Sequence, residues 1–202
     1  MENYSSVYTL TGTNHSIAAA RISYVFGLTG PCAVYSAACS SSLIALHSAV
    51  RSLEANDCEM AIVLSINAIL SCRGHLSLAM AGMLSESGRC HTFDSPADGF
   101  VRGEGCCAIV LKRYSNISSG EHPIHAMIKG TASLTAPHGA AQENLWQKTL
   151  LDAGLVGTDV NYMEMHGTAS LLGDSIEMGA VAKNFVFGSF RLKSARGKCR
   201  ES

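Results

Sequence analysis

The stretch Val34-Tyr35-Ser36-Ala37-Ala38-Cys39-Ser40-Ser41-Ser42-Leu43-Ile44-Ala45-Leu46-His47 decides how this chain is read. A short strand of small residues runs straight into a cysteine, and three serines then open an apolar pattern at helical spacing. That order places Cys39 at or beside a helix N-terminus, where unpaired backbone N–H groups and the positive end of the dipole favour a thiolate. The thiolate is the nucleophilic form, so Cys39 is a candidate reactive thiol. The other seven cysteines have no such context and read as small hydrophobes.

Working outward, Ser16 to Phe26 carries apolar residues at helical spacing and stops at Gly27. Cys32-Ala33-Val34-Tyr35 reads as a buried strand, a helix follows from about Ser40 to Ala55, and Met60-Ala61-Ile62-Val63-Leu64 reads as a second buried strand. Strand, helix and strand in that order predict a right-handed βαβ unit with a parallel sheet. A glycine-punctuated middle leads to strands at Cys106 to Leu111 and about Ile124 to Ile128, then to a helix from Ala140 to Ala153. A last strand, Tyr162-Met163-Glu164-Met165, delivers His166 at its end, followed by the small residues Gly167-Thr168-Ala169-Ser170. The fold class is α/β, with layered helices and mixed sheets. An isolated histidine in such a place is most often satisfied by local hydrogen bonds. Spacing does not say whether Cys39 and His166 meet.

The chain of 202 residues, 47% hydrophobic and 15% charged, suffices for one sizeable domain. No basic leader with an apolar core opens it and no apolar run reaches membrane-spanning length, so a cytoplasmic protein is expected. The cysteines form no CxxC pair, which predicts reduced thiols and no metal site. From Lys183 onward six basic residues face a single acid, Glu201, while the preceding residues are net acidic. Such a segment can bind nucleic acid or a membrane surface. Without aromatic interleaving or an amphipathic stripe neither partner is expected, and residues 183–202 read as a solvated, disordered tail.

An ordered set of motifs adds to this reading. Ala38-Cys39-Ser40-Ser41-Ser42-Leu43, Ala81-Gly82-Met83-Leu84-Ser85, Gly88-Arg89-Cys90, Thr92-Phe93-Asp94, Gly99-Phe100-Val101-Arg102-Gly103-Glu104-Gly105 and Glu164-Met165-His166-Gly167-Thr168 follow one another. Together they closely resemble the β-ketoacyl synthase (condensing) domain of modular polyketide synthases and animal-type fatty acid synthases. Tyr24 to Pro31 and Gly173-Asp174-Ser175-Ile176-Glu177 extend the resemblance, which covers roughly Thr11 to Val181. It implies a partial thiolase-like fold over residues 1–182, a homodimer, and acyl transfer followed by decarboxylative Claisen condensation with a malonyl thioester.

In that scheme Cys39 takes the acyl chain and His166 is the first of two catalytic histidines. Thr168 and Ser170 contact the pantetheine arm, Ser170 standing where the family usually has threonine. No cofactor is bound; substrates ride on the phosphopantetheine of acyl carrier protein or on CoA. Glu104 and Asp174 are expected to brace loops, with Arg102 as a partner for either, and His47 matches a packing position.

The sequence also departs from the family pattern. The opening strands and helices of the first half are not represented, and a polar loop is shortened near residues 132–134. Ser36-Ala37 replaces Asp-Thr before the cysteine, and Ala169 replaces a glycine, adding a methyl where the substrate arm is expected to pass. After Gly188 neither the second histidine nor the catalytic lysine can be assigned, and His91 and His138 lie in other motifs. The alternative to a condensing enzyme is therefore an inactive domain that acts through dimerisation.

Overall fold

The computed structural model describes residues 6–118, 120, 123–132, 138–185 and 191–194. Two compact units emerge, Met1–Ser65 with Cys106–His125, and Ile66–Gly105 with Ala126–Ser202.

In the first unit, α1 (Thr9–Thr13) precedes α2 (Ser16–Phe26), which closes at Gly27 as its sequence predicts. A 3₁₀ turn, Ala38–Ser40, runs into α3 (Ser41–Glu54). Strands β1 (Met60–Asn67) and β2 (Gly105–Lys112) pair in a two-stranded sheet. Leu53 on α3 and Val63 on β1 are buried. Arg113 ties the end of α3 to the loop before β1: its Nη1 donates to the Leu53 carbonyl at 2.5 Å and to the Cys58 carbonyl at 2.8 Å. A cation on the last carbonyls of a helix satisfies acceptors that have no intrahelical donor.

The expected βαβ unit does not form. Residues 32–35 belong to no strand, and β1 has β2 as its ladder partner. A strand exists only through the neighbour that takes its N–H and C=O groups, and among the described residues no ladder includes 32–35. The same holds for residues 124–128, which were expected to be extended and paired.

The second unit holds α4 (Cys72–Met80), α5 (Gly139–Ala153), β3 (Tyr162–Met165), α6 (Leu171–Asn184) and β4 (Arg191–Ser194). Met163 and Met165 point inward from β3 and meet Val181 and Phe185, with Trp146 and Leu150 of α5 packed against them. The Trp146 and Phe185 rings meet edge-on at 5.7 Å, a favoured aromatic geometry. Strand β4 runs parallel to β3, with Tyr162 opposite Arg191 and Met165 opposite Ser194. At residues 183–185 and 191–194 the structure departs from the sequence reading of the basic segment, and the rest of that segment lies outside the described residues. The boundary expected at residue 182 falls inside α6, whose Lys183 Nζ meets Glu143 Oε1 of α5 at 2.6 Å, and residues 191–194 form a strand. Charge composition suggests disorder; the exposed edge of β3 supplies the ladder that composition does not encode.

A strap at residues 98–100 ties the middle of this unit together. The Gly99 N–H donates to the Ala169 carbonyl at 3.1 Å, and the Phe100 N–H donates to the Met83 carbonyl at 3.1 Å. Gly99 has φ +128°, and a Cβ placed there would lie 2.7–2.9 Å from backbone atoms of Met83, Leu84 and Ser85. Gly99→Ala should therefore lower unfolding stability by about 2 kcal/mol or more, read as a lower urea midpoint; an unchanged midpoint would contradict the strap.

Beside it, hydrogen bonds from the Ser85 hydroxyl and then the Ser87 N–H, the latter at 3.1 Å, hold the Asp98 carboxyl below its ordinary range. A lowered carboxylate pKa adds stability that is complete above the ordinary range and is lost as pH falls through the lowered value. Between about pH 6 and pH 3 the native chain should lose more stability than Asp98→Asn, as measured by urea unfolding at both pH values. Equal losses would show that this carboxylate is not held.

Candidate active site

Cys39 occupies the middle of the 3₁₀ turn at the head of α3, and its thiol is exposed. The chain reaches that position through Ala38 at φ +50°, a left-handed conformation that costs a residue with a side chain about 1 kcal/mol. The serines stabilise the turn. Ser41 Oγ accepts the Ala37 N–H at 2.8 Å and donates to the Ala38 carbonyl at 2.7 Å, while Ser40 Oγ donates to the Ala37 carbonyl at 2.8 Å. Ser40 is the residue preceding α3 but makes no side-chain cap. The serine run therefore holds the cysteine turn and leaves the helix N–H groups free of side-chain capping by Ser40. The expectation of a cysteine at a helix N-terminus holds.

His166 belongs to the second unit, at the C-terminal end of β3, and is exposed. Its loop is held by side chains from two directions. Glu177, on α6, accepts the His166 N–H at Oε1 (2.7 Å) and the Gly167 N–H at Oε2 (2.9 Å). Thr92 Oγ1 donates to the Gly167 carbonyl at 3.0 Å. Asp174 accepts the Phe93 N–H at Oδ2 (2.8 Å), fixing the segment that carries Thr92. Both carboxylates come from one turn of α6, so a single helix orders the histidine loop and its neighbour.

Thr168 and Ser170 face each other, their hydroxyl oxygens 3.0 Å apart. They sit over Gly173 of the first turn of α6, where an added Cβ would lie 2.5 Å from Ser170 Oγ and 3.3 Å from Thr168 Oγ1. A glycine at this point leaves room for the hydroxyl pair. Ala169, between them, is fully buried at φ +61°. Its methyl is thus enclosed by the protein instead of standing in an open passage, contrary to the sequence expectation. Left-handed backbone costs alanine about 1 kcal/mol, and burying one methyl recovers about 0.8 kcal/mol, so the two effects nearly cancel.

The remaining candidates fall into place within their own units. Asp174 braces a loop as expected, and Glu104 Oε1 accepts the Ile69 N–H. Arg102 pairs with neither: its Nη1 has no hydrogen-bond partner among the described residues, and the guanidinium lies beside Gly74. His138 precedes α5 and its Nδ1 accepts the Ala141 N–H at 3.4 Å, a capping role. His47 is half-buried on α3. Sequence reasoning gave no role to Glu177 or Thr92. The signal for Glu177 was its spacing of three from Asp174, which puts both carboxylates on one face of a helix.

Comparison with known proteins accounts for this arrangement. The family pattern for the N-terminal domain of β-ketoacyl synthase matches residues 1–116, and that for the C-terminal domain matches residues 125–198. The second match continues past Val181, where the motif-based resemblance stopped. The chain is 41% identical over 186 residues to a phenolphthiocerol/phthiocerol polyketide synthase protein of Mycobacterium tuberculosis, covering 88% of this chain and 8% of that protein. It is 41% identical over 194 residues to the non-reducing polyketide synthase atr1 of Stereocaulon alpinum, covering 92% and 8%.

Among solved structures it resembles the oxazolomycin ketosynthase domain OzmH KS7 of Streptomyces albus JA3453, with a TM-score of 0.84, 33% identity, and 90% of this chain against 35% of that one. The ketosynthase from module 6 of the bacillaene synthase of Bacillus subtilis 168 gives a TM-score of 0.83 at 35% identity, covering 96% and 37%. The chain thus spans about a third of the solved ketosynthase chains and under a tenth of the curated relatives. Its architecture is the partial thiolase-like fold of ketosynthase domains, and by sequence pattern, identity and structure alike the chain belongs to the β-ketoacyl synthase family.

Proposed function

We propose that this chain is part of a condensing enzyme, a 3-oxoacyl synthase of polyketide assembly, in which Cys39 is the acyl acceptor. The observation that carries the reading is the exposed thiol of Cys39 on a strained turn at the head of α3. Backbone N–H groups at a helix start suit a site where negative charge develops on sulfur and on a thioester oxygen. In the first step the Cys39 sulfur attacks the acyl thioester carbonyl. The carrier thiolate leaves with the proton, giving an acyl-cysteine and a free carrier thiol.

In the second step a malonyl thioester loses CO₂, and the resulting carbanion attacks the acyl carbon. Cys39 thiolate is released, with a 3-oxoacyl thioester as product. His166 is assigned the hydrogen bond to the malonyl thioester oxygen as the enolate charge builds. Removing a donor of this kind commonly costs about 10²–10³ in rate. Thr168 and Ser170 offer hydroxyls to the amides of a pantetheine arm. Substrates are accordingly carried on the phosphopantetheine of acyl carrier protein or on CoA, and the working partners are a carrier domain and a second copy of the synthase. The setting proposed is cytoplasmic, because an acyl-accepting cysteine must stay reduced. Among the described residues no helix is long and apolar enough to cross a membrane.

A condensing role is favoured over a purely structural one because the residues around both motifs keep the donors and hydroxyls that acyl transfer uses. Intact-mass spectrometry after incubation with acetyl-CoA should show a single acetyl addition to the native chain and none to Cys39→Ala. His166→Ala should retain the addition. No addition to a folded native chain, or addition that persists in Cys39→Ala, would overturn the assignment.

A further inference from the structure

The Ser41 hydroxyl bridges the backbone on both sides of Ala38. Its oxygen accepts the Ala37 N–H at 2.8 Å and donates to the Ala38 carbonyl at 2.7 Å. The bridge thus closes over the φ and ψ bonds of Ala38, which stands at φ +50°, where its Cβ crowds the carbonyl that follows. Ala37 and Ala38 carry no polar side-chain atoms, so nothing in their own side chains holds that conformation. Cys39 is the next residue, and the turn at Ala38 sets the direction in which its side chain leaves the head of α3. All of these residues lie in the first unit.

Ser40 is placed differently. Its hydroxyl donates to the Ala37 carbonyl at 2.8 Å, an acceptor that the Ser40 N–H also reaches at 3.2 Å. Losing the Ser40 hydroxyl leaves that carbonyl a backbone donor, whereas losing the Ser41 hydroxyl takes from the Ala37 N–H the acceptor it has. From this asymmetry we infer that Ser41 is the positioning residue for the Cys39 thiol. Its hydroxyl keeps Ala38 left-handed, and that conformation presents the exposed thiol at the helix start, where a thiolate is favoured. The inference deepens the reading of Cys39 as acyl acceptor and rests on that reading for its place in the reaction.

The test is the rate at which iodoacetamide alkylates Cys39 in the full chain at fixed pH, read by mass spectrometry of the peptide that carries it. Ser41→Ala should slow that rate about tenfold, and Ser40→Ala less than about threefold. Ser41→Thr, which keeps the hydroxyl, should stay within about twofold of the native rate. Glycine adopts positive φ without the crowding, so Ala38→Gly added to Ser41→Ala should restore the rate to within about threefold of native. If Ser41→Ala does not fold, Ala38→Val carries the test: a β-branched side chain opposes positive φ, and the rate should fall about tenfold. A native rate in Ser41→Ala or Ala38→Val, an equal loss in Ser40→Ala, a slow Ser41→Thr chain, or a double variant as slow as Ser41→Ala would overturn the inference. Iodoacetamide reads the thiol whatever its acyl donor. A chain that shows this pattern yet takes no acetyl group from acetyl-CoA would overturn the acyl-acceptor reading and leave the role of Ser41 standing.

Discussion

One carboxylate, Glu177, accepts the N–H groups of both His166 and Gly167, and the order of the histidine loop depends on it. A hydrogen bond to a charged group contributes about 1.5–3 kcal/mol, so the two together rival a large fraction of a domain's net stability. The loop needs this support because its own residues are small: glycine, threonine, alanine and serine bury little surface and do not fix a backbone by packing. Asp174, three residues earlier on the same helix, fixes Phe93 and thereby the segment whose Thr92 reaches the Gly167 carbonyl. The α6 helix is in turn seated by Val181, Phe185 and the aromatic contact with Trp146. Core packing, helix position, carboxylate placement and loop geometry form one chain of dependence that ends at His166.

Around Cys39 the physical solution differs. Among the described residues no distant carboxylate is used; Ser40 and Ser41 bond to the backbone of residues 37 and 38 and hold a left-handed Ala38 in place. The Cys39 turn is thus fixed locally, by neighbours within four positions, while the histidine loop is fixed by residues ten to more than seventy positions away. The first can be read from a short motif. The second requires the tertiary structure.

That contrast also explains what the sequence disclosed. Helices α2, α3 and α5 and strand β3 were legible because apolar spacing and, for α2, Gly27 mark them directly. The strands expected at residues 32–35 and 124–128 failed because a ladder is a property of two segments, and apolar composition names only one. Strand β4 was hidden for the converse reason: its basic residues suggested solvation, but parallel pairing with β3 uses backbone groups that side-chain charge does not reveal. Cys39, His166, Thr168 and Ser170 were singled out as candidates by motif, whereas Glu177 stood within a motif and had no role there. The buried methyl of Ala169 was misplaced because its burial follows from the strap at Gly99, whose N–H meets the Ala169 carbonyl.

The most direct test of this account is amide hydrogen exchange at His166 and Gly167 in the native chain and in Glu177→Ala. Both amides should be protected in the native chain and exchange together at nearly the rate of an open loop in the variant, while Met163 and Met165 in β3 keep their protection. Fast exchange at His166 and Gly167 in the native chain, or protection that survives Glu177→Ala, would contradict the claim that this carboxylate holds the loop.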